Sequence, residues 1–168
     1  MLPVVRAAAP GPEYRRNVGL MLLNPTGLAW VGQRIDTPGA WQMPQGGIDH
    51  GEDPETAAKR ELKEEIGTDA AEILFASEDW LVYDLPPELV GKVWKGERWR
   101  GQAQRWFALR FLGSDRDIRI DGHDAEFSAW RWARRDELAK LIVGFKRPVY
   151  EALLAEFEPR LRALGLPG

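Results

Sequence analysis

The chain has 168 residues and a mass of 19.0 kDa, enough for one ordinary domain and one core but not for two. Hydrophobic residues make up 44% and charged residues 29%, a balance that excludes a mostly disordered or fibrous chain. With 23 basic against 26 acidic side chains the net charge is −3, which argues against coating DNA, and the absence of cysteine removes disulfides, thiol nucleophiles and most structural zinc sites.

Residues 1–13, rich in Pro, Ala and Gly, read as a flexible N-terminal arm, and 14–168 as a single domain. The first residues lack the sustained apolar segment of a signal peptide, and no apolar run approaches the roughly 20 residues that span a bilayer. The expectation is a soluble, cytoplasmic protein with no membrane partner. Asn17 to Leu23 and Leu28 to Arg34 are apolar runs separated by Asn24-Pro25-Thr26-Gly27, which predicts a β-hairpin. Trp41 to Met43 is a short extended piece. Pro54 to Ile66 is predicted as a helix, with Asp53 as N-cap, proline in the first turn and Gly67 as the stop. Ala71 to Tyr83 reads as one strand and Pro86 to Gln104 as irregular, with four cations around Trp94 and Trp99. Arg105 to Leu112 and Phe127 to Trp132 read as strands, Arg134 to Leu141 as a short helix and Pro148 to Leu164 as a longer amphipathic one. Most of the eight tryptophans are expected in the core. The irregular interleaving of strands and helices favours an α+β domain, a mixed sheet flanked by helices.

The chemistry lies in Gly46 to Thr68, GGIDHGEDPETAAKRELKEEIGT. Glu61, Glu64 and Glu65 stand at helical spacings i, i+3 and i+4, which bring three carboxylates onto one side of the cylinder. Hard divalent cations such as Mg²⁺ or Mn²⁺ compensate such a cluster with oxygen ligation. Ala58, Leu62 and Ile66 form the adjoining apolar stripe, and Arg60 sits four residues before Glu64. By itself the triad reads more readily as a solvated charged face. The glycines at 46 and 47, just after an extended piece, shift the weighing because they allow a close backbone approach to a ligand.

Gly46, Glu52, Arg60-Glu61-Leu62, Glu64-Glu65 and Gly67 match the box G-x5-E-x7-R-E-U-x-E-E-x-G-U of the Nudix hydrolases, with Thr68 departing at the final apolar position. The chain therefore resembles that family. The similarity extends from about Tyr14 to about Phe157, through YRRNVG, GAWQMPQGGID, WLVYDLP, GQAQRWFALRF, EFSAWRW and GFKRPVYE. These segments are similar to the branch that contains bacterial RNA pyrophosphohydrolases and asymmetrical diadenosine tetraphosphate hydrolases. The resemblance implies a Nudix fold, a mixed β-sheet sandwiched between helices, with two or three Mg²⁺ or Mn²⁺ ions. It implies Glu61, Glu64 and Glu65 as metal ligands, the Gly46 carbonyl as a further one, and Arg60 and Glu52 as the groups that orient them. Glu126, otherwise an ordinary loop acid, becomes a fourth metal ligand or the base that takes a proton from the attacking water. Arg15, Arg34, Arg105 and Lys146 are expected near a polyphosphate, and Tyr83 and Phe145 are expected to touch phosphate or stack on a base. Arg16 stands where relatives carry proline and adds charge near the phosphates. His50 and His123 lack metal-ligand partners at useful spacing and read as loop residues.

The activity implied is metal-dependent hydrolysis of a phosphoanhydride in a nucleoside 5′-polyphosphate. The leading expectation is removal of pyrophosphate from 5′-triphosphorylated RNA. The alternative is asymmetric cleavage of a dinucleoside polyphosphate, diadenosine tetraphosphate to ATP and AMP, and a non-catalytic nucleotide-binding domain ranks third because every box glutamate is present.

Overall fold

The computed structural model describes residues 3–122 and 124–167. Among the described residues nine strands form one mixed sheet: β1 (Val4–Ala7), β2 (Tyr14–Leu23), β3 (Ala29–Arg34), β4 (Trp41–Gln42), β5 (Gln45–Gly47), β6 (Ala71–Ala76), β7 (Trp80–Asp84), β8 (Gly101–Phe111) and β9 (Phe127–Ala133). The helices are α1 (Pro54–Ile66), α2 (Leu138–Leu141) and α3 (Arg147–Ala163). The sheet runs β1-β7-β8-β2-β3-β4, with β5 on β2, β6 on β8 and β9 on β3.

The two-residue period of β2 builds both cores. Val18, Leu20 and Leu22 face α1 and pack with its Ala57, Ala58, Leu62 and Ile66. Met21 and Leu23 face the other way, onto Val149, Leu153, Phe157 and Leu161 of α3. The sheet is thus sandwiched between helices, and the expected α+β architecture holds. All ten residues of β2 pair in parallel with β8, from Tyr14 against Gly101 to Leu23 against Arg110.

α1 has the bounds its sequence predicts. Asp53 accepts the Thr56 amide at 2.7 Å, a cap worth about 1 kcal/mol. Gly67 turns left-handed at φ 79° and returns its N–H to the Lys63 carbonyl, a conformation that favours glycine.

Four elements differ from expectation. The hairpin of β2 and β3 pairs only at Leu23 and Ala29, because β2 gives its edges to β8 and β5 while β3 pairs with β4 and β9. The strand expected over 71–83 breaks at Ser77, whose hydroxyl donates to the Asp79 carbonyl and accepts the Trp106 amide, so β6 and β7 pair separately with β8. Within the expected arm, Val4–Ala7 is paired antiparallel with β7 as an edge strand. Arg6 anchors it to α3 through the Ala152 carbonyl at 2.8 Å and the Glu156 carboxylate. β8 also begins four residues earlier than the predicted strand, at Gly101. No helix among the described residues is long and apolar enough to cross a membrane.

Candidate active site

The glutamates of α1 are presented by packing. Leu62 and Ile66 pin the helix to the sheet, so Glu61, Glu64 and Glu65 line a cleft of about 620 Å³ beside β2 and β5. Glu61 is 9% exposed and lies against the backbone of Gly46, where an added Cβ would sit 2.0 Å from its carboxyl carbon. Any Cβ there would displace the carboxylate that Arg60 holds, which is the physical reason for glycine at this place in β5. Across the cleft, the loop before β9 brings in Asp124 and Glu126.

Arg60 braces this acidic wall. Its Nε and Nη2 donate to the two carboxylate oxygens of Glu52, each at 2.8 Å, and Nη2 also donates to the Gly47 carbonyl at 2.8 Å. Nη1 donates to Glu61 at 2.8 Å and Glu64 at 3.2 Å. One guanidinium thereby fixes three carboxylates, and the fork pulls the Glu52 carboxyl down to about 2. Burial pushes Glu61 up to about 7 against the pull of Arg60, with Glu64 and Glu126 adding repulsion. Glu65 is raised well above the ordinary carboxylate range by burial and by repulsion from Glu126 and Glu61. It accepts the Gln45 amide at 3.2 Å.

Among the described residues no three acidic or imidazole groups are drawn together closely enough to enclose an ion as they stand. The donor set nevertheless fits a hard divalent cation. It consists of four carboxylates in one cleft, two of them held toward the protonated form by burial and mutual repulsion that a cation relieves.

The facing wall is basic. Arg15 and Arg34 line the cleft. Arg34 is held by Asp36 through two 2.7 Å hydrogen bonds and lies 4.0 Å from Glu126. Lys146, half-buried in the turn before α3, carries an ammonium lowered to about 8, mainly by burial and then by the neighbouring charge of Arg34. Its Nζ lies 5.9 Å from the ring centroid of Phe145, which packs partly buried against the α3 core and does not line the cleft.

Two residues expected at the substrate, Tyr83 and Arg105, do not line the cleft. Tyr83 is 3% exposed and lies beneath the cleft, where its hydroxyl accepts the Gln102 amide at 2.7 Å. Arg105 points to the opposite face of β8 from Gln102 and Gln104 and donates to the Ser77 carbonyl at 2.7 Å, closing the β6–β7 turn. Arg16 likewise alternates away from Arg15 and packs its guanidinium over Trp80 at 5.7 Å. His50 is an exposed loop residue, and His123 lies outside the described residues.

Sequence reasoning missed a buried polar layer under the basic wall. Gln102, fully buried, accepts from Arg15 at 2.8 Å while donating to Tyr83. Gln104 donates to Asn17 and Gln45, each at 3.0 Å, and accepts the Trp106 indole N–H at 3.0 Å. The available signal was Gln-x-Gln at same-face spacing within an apolar strand, since buried amides require partners.

The NUDIX domain family matches residues 13–153. The chain is 56% identical over 156 residues to an RNA pyrophosphohydrolase of Rhodospirillum rubrum, covering 93% of this chain and 94% of that one. It is 52% identical over 160 residues to an RNA pyrophosphohydrolase of Cereibacter sphaeroides, covering 93% and 98%. Among solved structures, a C. elegans Ap4A hydrolase binary complex superposes with a TM-score of 0.62 over 88% of this chain and 98% of that one, at 18% identity, a likeness of fold. The box on β5 and α1, the sandwiched mixed sheet and the match over residues 13–153 lead to one conclusion: the chain belongs to the Nudix family.

Proposed function

We propose that this chain hydrolyses the phosphoanhydride of 5′-triphosphorylated RNA, releasing pyrophosphate and leaving a 5′-monophosphate, in the cytoplasm. The observation that carries the reading is one cleft lined by both signs of charge, Glu61, Glu64, Glu65 and Glu126 together with Arg15 and Arg34. Its support in sequence is the likeness, over 93% of the chain, to proteins named RNA pyrophosphohydrolase.

Nudix hydrolases generally use Mg²⁺ or Mn²⁺, and the four glutamates with the Gly46 carbonyl are the groups that would hold two or three such ions, which neutralise phosphate charge and acidify water when bound. Arg15, Arg34 and Lys146 hold the phosphate chain through charge-assisted hydrogen bonds. Arg60 and Glu52 keep the acidic face in one orientation. Water attacks phosphorus in line with the leaving phosphate, its proton passes to Glu126 or a box glutamate, and the bridging P–O bond breaks with its electrons on the departing oxygen. No covalent intermediate is needed. The test is turnover with Mg²⁺ of triphosphorylated RNA beside diadenosine tetraphosphate. The reading expects RNA to be the faster substrate, and faster cleavage of the dinucleotide to ATP and AMP overturns it.

A further inference from the structure

The connection from β7 to β8 is the part of the cleft wall that the hydrolytic chemistry leaves unused. Residues 90–100 carry Lys92, Lys95, Arg98 and Arg100 against the single anion Glu97, in a chain whose net charge is −3. Arg100 is occupied by Asp84, 3.0 Å from its Nε, and Glu97 accepts the indole N–H of Trp99. Lys92, Lys95 and Arg98 are exposed and make no ion pair among the described residues. Beside them Trp94 lines the cleft, with the Arg15 guanidinium 5.4 Å from its ring centroid. Trp94 and Lys95 both hold left-handed backbone, φ 51° and 60°, a conformation that residues with a Cβ keep only where their surroundings impose it. An aromatic ring at the cleft and three exposed cations without ion pairs among the described residues thus share one loop.

A single strand of nucleic acid offers the complementary pattern, flat bases and one negative charge per nucleotide. A nucleoside 5′-polyphosphate places all its phosphates inside the cleft, whereas only a polymer has further phosphates outside it. We propose that residues 90–100 bind the RNA strand that continues from the 5′ nucleotide. Trp94 faces its first bases, and Lys92, Lys95 and Arg98 meet the phosphodiesters that follow. The inference rests on triphosphorylated RNA as substrate and adds the surface that separates polymer from dinucleotide.

The test compares the full-length protein with its Lys92→Gln/Lys95→Gln/Arg98→Gln variant, in Mg²⁺, on two substrates: a triphosphorylated RNA of about ten nucleotides and a triphosphorylated dinucleotide. Loss of three phosphate contacts is expected to raise KM for the longer RNA about tenfold and to make the fall of log kcat/KM with log salt shallower by about 2. Both constants for the dinucleotide are expected to stay within about twofold, and the exposed positions leave the thermal midpoint unchanged. Equal losses on the two substrates, or an unchanged KM for the longer RNA, overturn the inference alone. A wild-type protein that leaves triphosphorylated RNA intact while cleaving diadenosine tetraphosphate overturns the functional reading and the inference with it.

Discussion

The acidic and basic walls of the cleft are built in opposite ways. Glu61, Glu64 and Glu65 come from a single turn and a half of α1, so helix periodicity alone gathers them. Arg15 and Arg34 come from β2 and the end of β3, Lys146 stands near them in the turn before α3 without lining the cleft, and only the folded chain brings the three together. Burial, with like-charge repulsion added to it, raises the Glu61 and Glu65 carboxyls toward protonation and lowers the Lys146 ammonium toward deprotonation. A site with such walls is poised for a ligand pair of opposite sign, a cation against the glutamates and a polyphosphate against the arginines and lysine.

Breaking the acidic wall is expected to cost most. Glu64→Gln keeps the helix and its apolar stripe but removes a charge, and kcat is expected to fall on the order of 10²–10³-fold with the thermal midpoint unchanged. Steady-state kinetics beside a melting curve check it, and wild-type turnover refutes the assigned role. Glu126→Gln is expected to lower kcat about 100-fold while KM stays within about twofold, since a proton acceptor acts in the transition state more than in binding.

Breaking the basic wall is expected to act on binding. Lys146→Met should lower kcat/KM about tenfold, the scale of a lost hydrogen bond to a charged group. Its charged form is lost as pH rises through about 8, so kcat/KM of the wild type is expected to decline above that pH. Lys146→Arg, which stays protonated, is expected to remove that decline. The sign for stability is the reverse: burial penalises the ammonium, so this group's contribution becomes more favourable as pH rises from 8 toward 10.5. The smallest effect is expected from Gln102→Met, which leaves Arg15 charged but without its anchor. KM is expected to rise about threefold with kcat unchanged, together with a lower thermal midpoint from the unpaired Tyr83 hydroxyl.

The contrast between the walls also accounts for what the sequence made legible. α1, its caps and the Arg60–Glu64 contact depend on a short stretch of chain and are legible in the helical spacing, whereas the grip of Arg60 on Glu52 and Glu61 is seen only in the folded chain. Arg105 was placed at the cleft because its charge suits phosphate. The alternation of β8 assigns it to the opposite face from Gln102, a two-residue argument available in the sequence once the strand is known to start at Gly101. The β2–β3 hairpin was misjudged for a different reason. Its turn signal is genuine and the chain does reverse there, but β5, 26–30 residues on, and β8, 87 residues on, take the edges of β2, and no local propensity reports them. The pairing of Val4–Ala7 with β7 is equally non-local, since the segment is too short and too rich in neighbouring prolines to announce a strand.

The parallel pairing of β2 with β8 has a consequence for how the chain folds. Tyr14 meets Gly101, so this ladder closes a loop that contains α1 and the whole Nudix box before any of its hydrogen bonds can form. Contacts of such long sequence separation slow two-state folding, placing this topology toward the millisecond-to-second end of the range. A nascent chain that has emerged only as far as α1 already contains all three helix glutamates, yet it lacks the strand against which β2 is ordered. The hydrolytic cleft therefore exists only after synthesis has passed β8, and ribosome-bound chains halted before Gly101 are expected to carry the motif without the site.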